Sequence, residues 1–126
     1  MVMVLGIYFL VVSIVVTCFQ VAIFFGAPLG AYTLGGKYPG VLPKDKRILA
    51  LIQVVVLWGF VYIVLVESNI LGSGVETVGS VGIWFVVVFF LLGSIANLTS
   101  QSKPERLLWG PVNVLTFLAV LLIAVL

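Results

Sequence analysis

Four side-chain amides interrupt an otherwise apolar sequence and are its best candidates for binding a solute. They are Gln20, Gln53, Asn97 and Asn113. An amide both donates and accepts hydrogen bonds without carrying a charge, so it suits an ion, water or a small hydrogen-bonding molecule. Polar side chains in hydrocarbon seek partners and face the interior of a helix bundle. The four amides therefore predict one polar layer inside the protein.

Enzyme chemistry has few candidate groups in this sequence. The chain has no histidine and one cysteine, Cys18, which we expect to be a small apolar packing residue. The four acids are Asp45, Glu67, Glu76 and Glu105, and they lie in loops or at the ends of apolar runs. We find no carboxylate pair, no nucleophile with a base and no cluster of soft metal ligands in this set. We therefore expect a protein that is not an enzyme, without catalytic residues, metal or cofactor.

Four apolar runs must position the amides, at residues 2–25, 48–66, 78–96 and 107–126. Each has about the twenty residues that an α-helix needs to cross a bilayer. Hydrophobic residues make up 63% of the chain and charged residues 8%, too little polar surface for a soluble globule. The alternating ten-residue segments of a membrane β-barrel are not present. The sequence predicts an all-α bundle of four transmembrane helices, in one membrane domain over residues 1–126.

The depth of the amides allows two interpretations. All four lie within about two turns, or roughly 10 Å, of the same end of the predicted bundle. In the first interpretation they line a polar cavity that admits an ion, water or a small hydrogen-bonding solute. In the second they form a ring of interhelical hydrogen bonds that holds the helices in register, each worth about 0.6 to 2 kcal/mol. The sequence leaves both open.

Basic residues are confined to two of the three connections between the runs. The six are Lys37, Lys44, Lys46, Arg47, Lys103 and Arg106. The middle connection, residues 67–77, has Glu67 and Glu76 and no basic residue. Because lysine and arginine in short loops stay on the cytoplasmic side, we predict that both termini face outward. The basic side chains would then meet anionic headgroups of a membrane that we expect to be a bacterial cytoplasmic membrane.

A short pattern recurs at the start of the second and fourth helices. Residues 44–49 and 103–108 each begin with lysine, contain an acid, and continue with arginine and two apolar residues. Gln53 lies six residues after Arg47, and Asn113 lies seven after Arg106. This recurrence predicts two helical hairpins in parallel orientation, related by an axis along the membrane normal.

Two local features border these helices. Ser102 and Glu105 have the spacing of a capping box, in which the serine hydroxyl accepts from the Glu105 amide and the glutamate reaches back. The connection at residues 26–43 is rich in glycine and proline and too apolar for a flexible linker. We expect this connection to fold back onto the inner face of the bundle or to dip into it.

The turn residues of that connection carry a resemblance, together with two motifs around the fourth helix. The motifs are Gly26-Ala27-Pro28, Gly35-Gly36, Pro39-Gly40, Leu42-Pro43, residues 102–106 and Trp109-Gly110-Pro111-Val112. In these features the chain resembles a group of small four-helix integral membrane proteins of bacteria whose function is unknown. The resemblance extends over nearly the whole chain and implies a fold but no activity.

We expect the protein to bind or pass a small solute or ion through the polar layer near the cytoplasmic face. The alternative is a non-transporting accessory or structural protein that acts through a partner at the 26–43 connection. Membrane lipids surround either protein, and no nucleic-acid partner is expected. Because four helices alone bury little surface away from lipid, we also expect self-association or a membrane-protein partner.

Overall fold

The computed structural model describes residues 1–70 and 76–126 of the chain, and the regular structure in them is helical. The four long helices are α1 (Val2–Phe24), α2 (Lys44–Glu67), α3 (Glu76–Leu98) and α4 (Lys103–Val125). Each contains a stretch long and apolar enough to cross a membrane. The predicted fold class, an all-α four-transmembrane-helix bundle, is confirmed.

Helices α2, α3 and α4 begin before the apolar runs that predicted them. Helix α2 begins at Lys44 rather than at residue 48, and α4 begins at Lys103 rather than at residue 107. An apolar run marks only the part of a helix that suits hydrocarbon, and charged residues continue the same helix outside it. Pro43 at the N-cap of α2 and Pro104 in the first turn of α4 favour helix initiation there.

The predicted middle connection at residues 67–77 is shorter in the structure. Helix α2 ends at Glu67 and α3 begins at Glu76. Residues 71–75 lie outside the part of the chain that the structure describes. The middle connection lies at one end of the bundle. At the opposite end, α1 and α3 finish and α2 and α4 begin, and we term this end the loop end.

An apolar core fills the half of the bundle away from the loop end. Its buried members are Phe9, Val61, Val64, Ile83, Val86, Val87, Phe90, Val120 and Ile123. The rings of Phe9 and Phe90 meet edge to face, with their centroids 5.6 Å apart. At Gly82 a Cβ would lie 3.1 Å from Ile63 Cδ1, so the absence of a side chain lets α2 and α3 pack closely. This half of the bundle is closed.

At the loop end, residues 25–43 form a compact connection that we term loop 1–2. It contains two short 3₁₀ turns, at Gly30–Tyr32 and Leu34–Gly36. Its Leu42 is buried in a second apolar cluster with Ile23 of α1 and Ala50 of α2. Loop 1–2 therefore folds back onto the end of the bundle, as its apolar composition predicted.

Cys18 is exposed on α1, so the prediction that it packs inside the protein is wrong. The buried face of α1 carries Phe9, Ser13 and Gln20. Because successive helical residues are about 100° apart, Cys18 lies on the opposite side of α1 from Gln20. Apolarity in a membrane helix does not distinguish a residue that packs from one that faces lipid.

Candidate functional site

A cavity of about 680 Å³ extends from the loop end into the middle of the bundle. All four amides predicted from the sequence line it, and each comes from a different helix. Gln20 lies on α1, Gln53 on α2, Asn97 on α3 and Asn113 on α4. We term these four residues the amide layer. The volume falls within the roughly 300–1,000 Å³ range of small-molecule sites.

Hydrogen bonds within the amide layer do not form a closed ring. Gln20 Nε2 donates to Gln53 Oε1 at 2.5 Å, which joins α1 to α2. Asn97 Nδ2 instead donates to the backbone oxygen of Gly93 in its own helix, at 2.9 Å. In the described part of the chain, no fully buried side-chain polar atom lacks a partner. The amide atoms of the layer without a partner in the protein are therefore not fully buried.

Aromatic rings form the walls above and below the amide layer. Toward the apolar core, the cavity is lined by Phe9, Phe60, Phe89 and Phe90. The Phe9–Phe90 contact belongs to the buried core and closes the cavity at that end. Phe19 and Trp109 are also lining residues. The cavity is thus blind toward the core and combines polar amides with apolar walls.

Charged lining residues lie at the loop end. Loop 1–2 contributes Lys37, beside the uncharged residues Leu34 and Gly35, and the first turn of α4 contributes Glu105. Lys37 is exposed. The amide layer itself is uncharged, so a bound molecule meets hydrogen-bonding groups at that depth and full charges only at the mouth.

The start of α4 confirms one half of the predicted capping box and contradicts the other. The Ser102 hydroxyl accepts from the backbone N–H of Glu105 at 3.4 Å. The N–H of Ser102, however, donates to Ser100 Oγ at 3.1 Å rather than to the glutamate. The Glu105 carboxylate has a different partner because loop 1–2 lies against α4.

The partner of the Glu105 carboxylate is Gly35, whose backbone N–H donates to Glu105 Oε2 at 2.8 Å. A second bond runs alongside, from the Ser102 hydroxyl to the backbone oxygen of Ala31. Gly36 has a φ of +73°, and a Cβ there would lie 2.6 Å from Ser102 Cβ. Only glycine accommodates both the left-handed backbone and this close approach. We term these contacts the loop latch, since they hold loop 1–2 at the mouth of the cavity.

The basic residues of the sequence all lie at the loop end, and two of them brace the connections. Arg47 Nε donates to the Leu42 backbone oxygen at 2.9 Å, and Arg106 Nη1 donates to the Ser100 backbone oxygen at 2.9 Å. Each arginine thus binds the connection that precedes its own helix. This parallel fits the predicted repeat of two hairpins, which stays a prediction.

The lysines have looser surroundings than the arginines. Lys46 Nζ lies 3.9 Å from Asp45 Oδ2 and 5.9 Å from the centroid of the Tyr38 ring. Lys37, Lys44 and Lys103 are exposed. Their clustering is what a face toward anionic lipid headgroups requires. The side of the membrane on which they lie stays a prediction.

Several lining residues were not predicted from the sequence. Trp109, Phe19 and the Gly35–Glu105 pair are among them. A signal for α4 was present: Glu105, Trp109 and Asn113 are spaced four residues apart and therefore share one face of the helix. No comparable spacing could indicate which residues of loop 1–2 reach the cavity.

The fold and the cavity define this chain as a small four-helix integral membrane protein. Comparison with protein-family models, curated proteins and solved structures found no match to it. The resemblance to small bacterial four-helix proteins accordingly stays a prediction from the motifs. Function has to be argued from the cavity.

Proposed function

We propose that this protein binds a small, uncharged, hydrogen-bonding molecule in the cavity at the level of the amide layer. The observation that carries the proposal is that each of the four helices supplies one amide to the same cavity. A purely structural set of amides would pair with one another. Here Gln20 and Gln53 do so, whereas Asn97 bonds its own backbone.

The charge distribution favours an uncharged ligand. Moving an ion out of water into a low-dielectric interior costs several kcal/mol unless charges of opposite sign are present. In the lining, full charges are supplied by Lys37 and Glu105, both at the loop end. A neutral solute can pass them and exchange its hydrogen bonds with water for hydrogen bonds with the amides.

Passage through the bundle requires one further step. The buried Phe9–Phe90 contact separates the cavity from the opposite half of the bundle. In the proposed function, the cavity down to the amide layer is the inner half of a pathway. Separation of the Phe9 and Phe90 rings opens the outer half. Binding alone needs no such movement.

The alternative, a partner-binding role for loop 1–2, receives less support from the packing. Leu42 of the loop is buried, and Leu29 and Leu34 pack against the same cluster. The loop latch joins the backbone of the loop to α4. These apolar and polar groups are already used within the protein, which favours a loop that covers the cavity.

The first test is water access to the amide layer. In a Cys18→Ala background, Asn113→Cys should react with a membrane-impermeant thiol reagent added to the loop-end side, because thiolates form and react in water. Leu115→Cys is the matched control, since Leu115 is exposed on the outer surface of the same helix. We expect position 115 to stay unreactive in the bilayer. An unreactive Asn113→Cys would mean a dry layer and would overturn the proposal.

The second test measures function directly. Liposomes containing the protein are assayed for permeation of urea, glycerol and inorganic ions, with thermal stability measured in parallel. We expect Gln53→Leu and Asn113→Leu to abolish any permeation of neutral solutes while the bundle stays folded. Loss of stability of about 1 kcal/mol per variant, with no change in solute behaviour, would indicate structural hydrogen bonds only.

A further inference from the structure

Near the amide layer, α1 makes side-chain contacts with both of its neighbours. Between α1 and α2, Gln20 bonds Gln53, and Trp58 Nε1 donates to Thr17 Oγ1 at 2.9 Å. Between α1 and α4, the rings of Phe19 and Trp109 meet edge to face with centroids 4.9 Å apart. These contacts join α1 to α2 and to α4 beside the cavity.

Helices α3 and α4 pack closely near the amide layer. Gly110 of α4 is buried, and a Cβ there would lie 3.0 Å from Leu98 Cδ2. Close approach continues deeper in the bundle, where a Cβ at Gly93 would lie 3.8 Å from Asn113 Nδ2. Glycines on both helices thus bring α3 and α4 together along this half.

Between α2 and α3, lining residues of the cavity are also exposed. The close contacts of these helices are Ile63 with Gly82, in the half away from the loop end, and Phe60 with Phe89 near the middle of the bundle, at 4.8 Å between centroids. From Phe89 toward the loop end, both helices contribute residues that line the cavity and are also exposed at the surface. These are Ile52 (53% exposed), Val56 (41%), Phe89 (49%) and Ala96. We term these four residues the side opening, because each lines the cavity and is exposed on the outer surface of the bundle.

Two amides line the same cavity as this apolar rim. They are Gln53 of α2, which is itself exposed, and Asn97 of α3. Each makes one hydrogen bond, Gln53 through Oε1 and Asn97 through Nδ2, and an amide group that faces hydrocarbon without a partner is costly. A molecule that brings hydrogen-bonding groups on one end and an apolar chain on the other satisfies both the amides and the rim.

We propose that the ligand of the cavity is a neutral amphiphile of the adjoining lipid leaflet, which enters through the side opening between α2 and α3. Its head carries a hydroxyl, ester or amide group and bonds Gln53 and Asn97. Its single apolar chain lies along Ile52, Val56 and Phe89. This inference rests on the proposed function, and it names the class of molecule and its route.

The uncharged amide layer argues against a phospholipid headgroup as the bound head. A phosphate is recognised by cationic or charge-assisted donors. Lys37 is the basic residue among the lining side chains, and it lies in loop 1–2 rather than beside the amides. A head without a charge therefore fits the side opening better than an anionic one.

The test uses the full chain in phosphatidylcholine vesicles and a monoacylglycerol that carries a photoreactive diazirine on its chain. Labelled residues are mapped by mass spectrometry, with unlabelled monoacylglycerol as competitor. We expect saturable labelling at Ile52, Val56 and Phe89, along which the chain lies. Val55 is exposed but does not line the cavity, so its labelling should be unaffected by competitor. Gln53→Leu should raise the competitor concentration needed about fivefold, through loss of one hydrogen bond.

Variants that fill the side opening provide the control. Ala96→Phe should abolish the saturable labelling, and Val56→Phe should do the same from the other helix in case one variant does not fold. Ile95→Phe, at the neighbouring exposed position that faces away from the cavity, should leave the labelling unchanged. Saturable labelling that persists in folded Ala96→Phe and Val56→Phe proteins would overturn the lateral route.

Failures of the two proposals are distinguishable. If monoacylglycerol gives no saturable labelling while Asn113→Cys still reacts with the aqueous reagent, the ligand comes from water and the amphiphile inference is wrong. If neither occurs, the cavity binds nothing and both proposals fail. Crosslinks between two copies of the chain at Val56 and Ala96 would show that a second copy covers the side opening, which also overturns the inference.

Discussion

Glu105 Oε2 accepts a hydrogen bond from the backbone N–H of Gly35 across 70 residues of sequence. The carboxylate would have capped its own helix in an isolated peptide. Instead it joins the first turn of α4 to the connection between α1 and α2. Both residues line the cavity, so this bond holds loop 1–2 against α4 at the mouth.

Removing the carboxylate should loosen the mouth. We expect Glu105→Ala to lower stability by about 1 kcal/mol, the usual order for a hydrogen bond to a charged group at a partly exposed site. We also expect faster reaction of Asn113→Cys with an impermeant thiol reagent, because loop 1–2 is no longer held by this bond. Both effects are measured in the same liposome preparation.

Asp45→Ala is the matched control for that variant. Asp45 also lies in the first turn of a helix, where either acid interacts favourably with the helix dipole. It is exposed, and its contact with Lys46 spans 3.9 Å. Equal acceleration in both variants would show that the Gly35–Glu105 bond does not control access.

Gly36 should tolerate alanine less well than Gly40. Both have positive φ, +73° and +84°, so alanine pays a similar backbone cost of about 1–2 kcal/mol at each. Only at Gly36 does the new methyl group also meet Ser102, whereas nothing lies within 4 Å at Gly40. Gly36→Ala should therefore be less stable than Gly40→Ala by about a further 1 kcal/mol, through loss of the Ser102–Ala31 bond. Equal unfolding free energies would contradict the loop latch.

The Gln20–Gln53 bond should show energetic coupling. In a double-mutant cycle with Gln20→Leu and Gln53→Leu, we expect a coupling free energy of about 0.6 kcal/mol and no more than about 1.7 kcal/mol. Reversible unfolding in mixed micelles supplies the four free energies. A Gln53→Leu and Asn97→Leu cycle serves as comparison, since Asn97 bonds the Gly93 backbone. Coupling that is as large in the second cycle would mean that the amide layer acts as one network.

Orientation is tested by labelling cysteines at the two ends of the bundle. Ser73 would be a natural outer position, but it lies outside the described residues, and Ser100 is buried. Gln101→Cys and Asn69→Cys are better, because both positions are exposed. In a Cys18→Ala background, we expect only Asn69→Cys to react with an impermeant reagent outside intact cells, since basic loops stay inside. Reaction of Gln101→Cys from outside would reverse the predicted topology.

Local properties of the chain explain what was predictable. Apolar runs of bilayer length predict four membrane helices because hydrophobicity per residue is independent of the partner against which a helix packs. The Ser102 cap is also local, since donor and acceptor are three residues apart. The common depth of the amides followed from counting residues to the ends of the apolar runs.

The side of each helix that packs inward, and the residues that it contacts, could not be predicted in this way. Cys18 and Ser13 are both small residues of α1, yet Ser13 is buried and Cys18 is exposed. Polar residues such as Gln20 mark one inward-facing position of α1, but the remaining faces are apolar and carry no stripe that identifies the packed side. The choice depends on which helices meet and at what angle.

The sequence alone determines the number of helices, the depth of the amide layer and the end of the bundle that carries the positive charge. Each of these depends only on residue type and on position along the chain. Tertiary structure decided that Glu105 binds Gly35 and that the four amides line one cavity. Those features depend on the separation of helices, which glycines at positions 82, 93 and 110 reduce where two helices meet. Close packing at those positions is a property of pairs of helices, and no single segment encodes it.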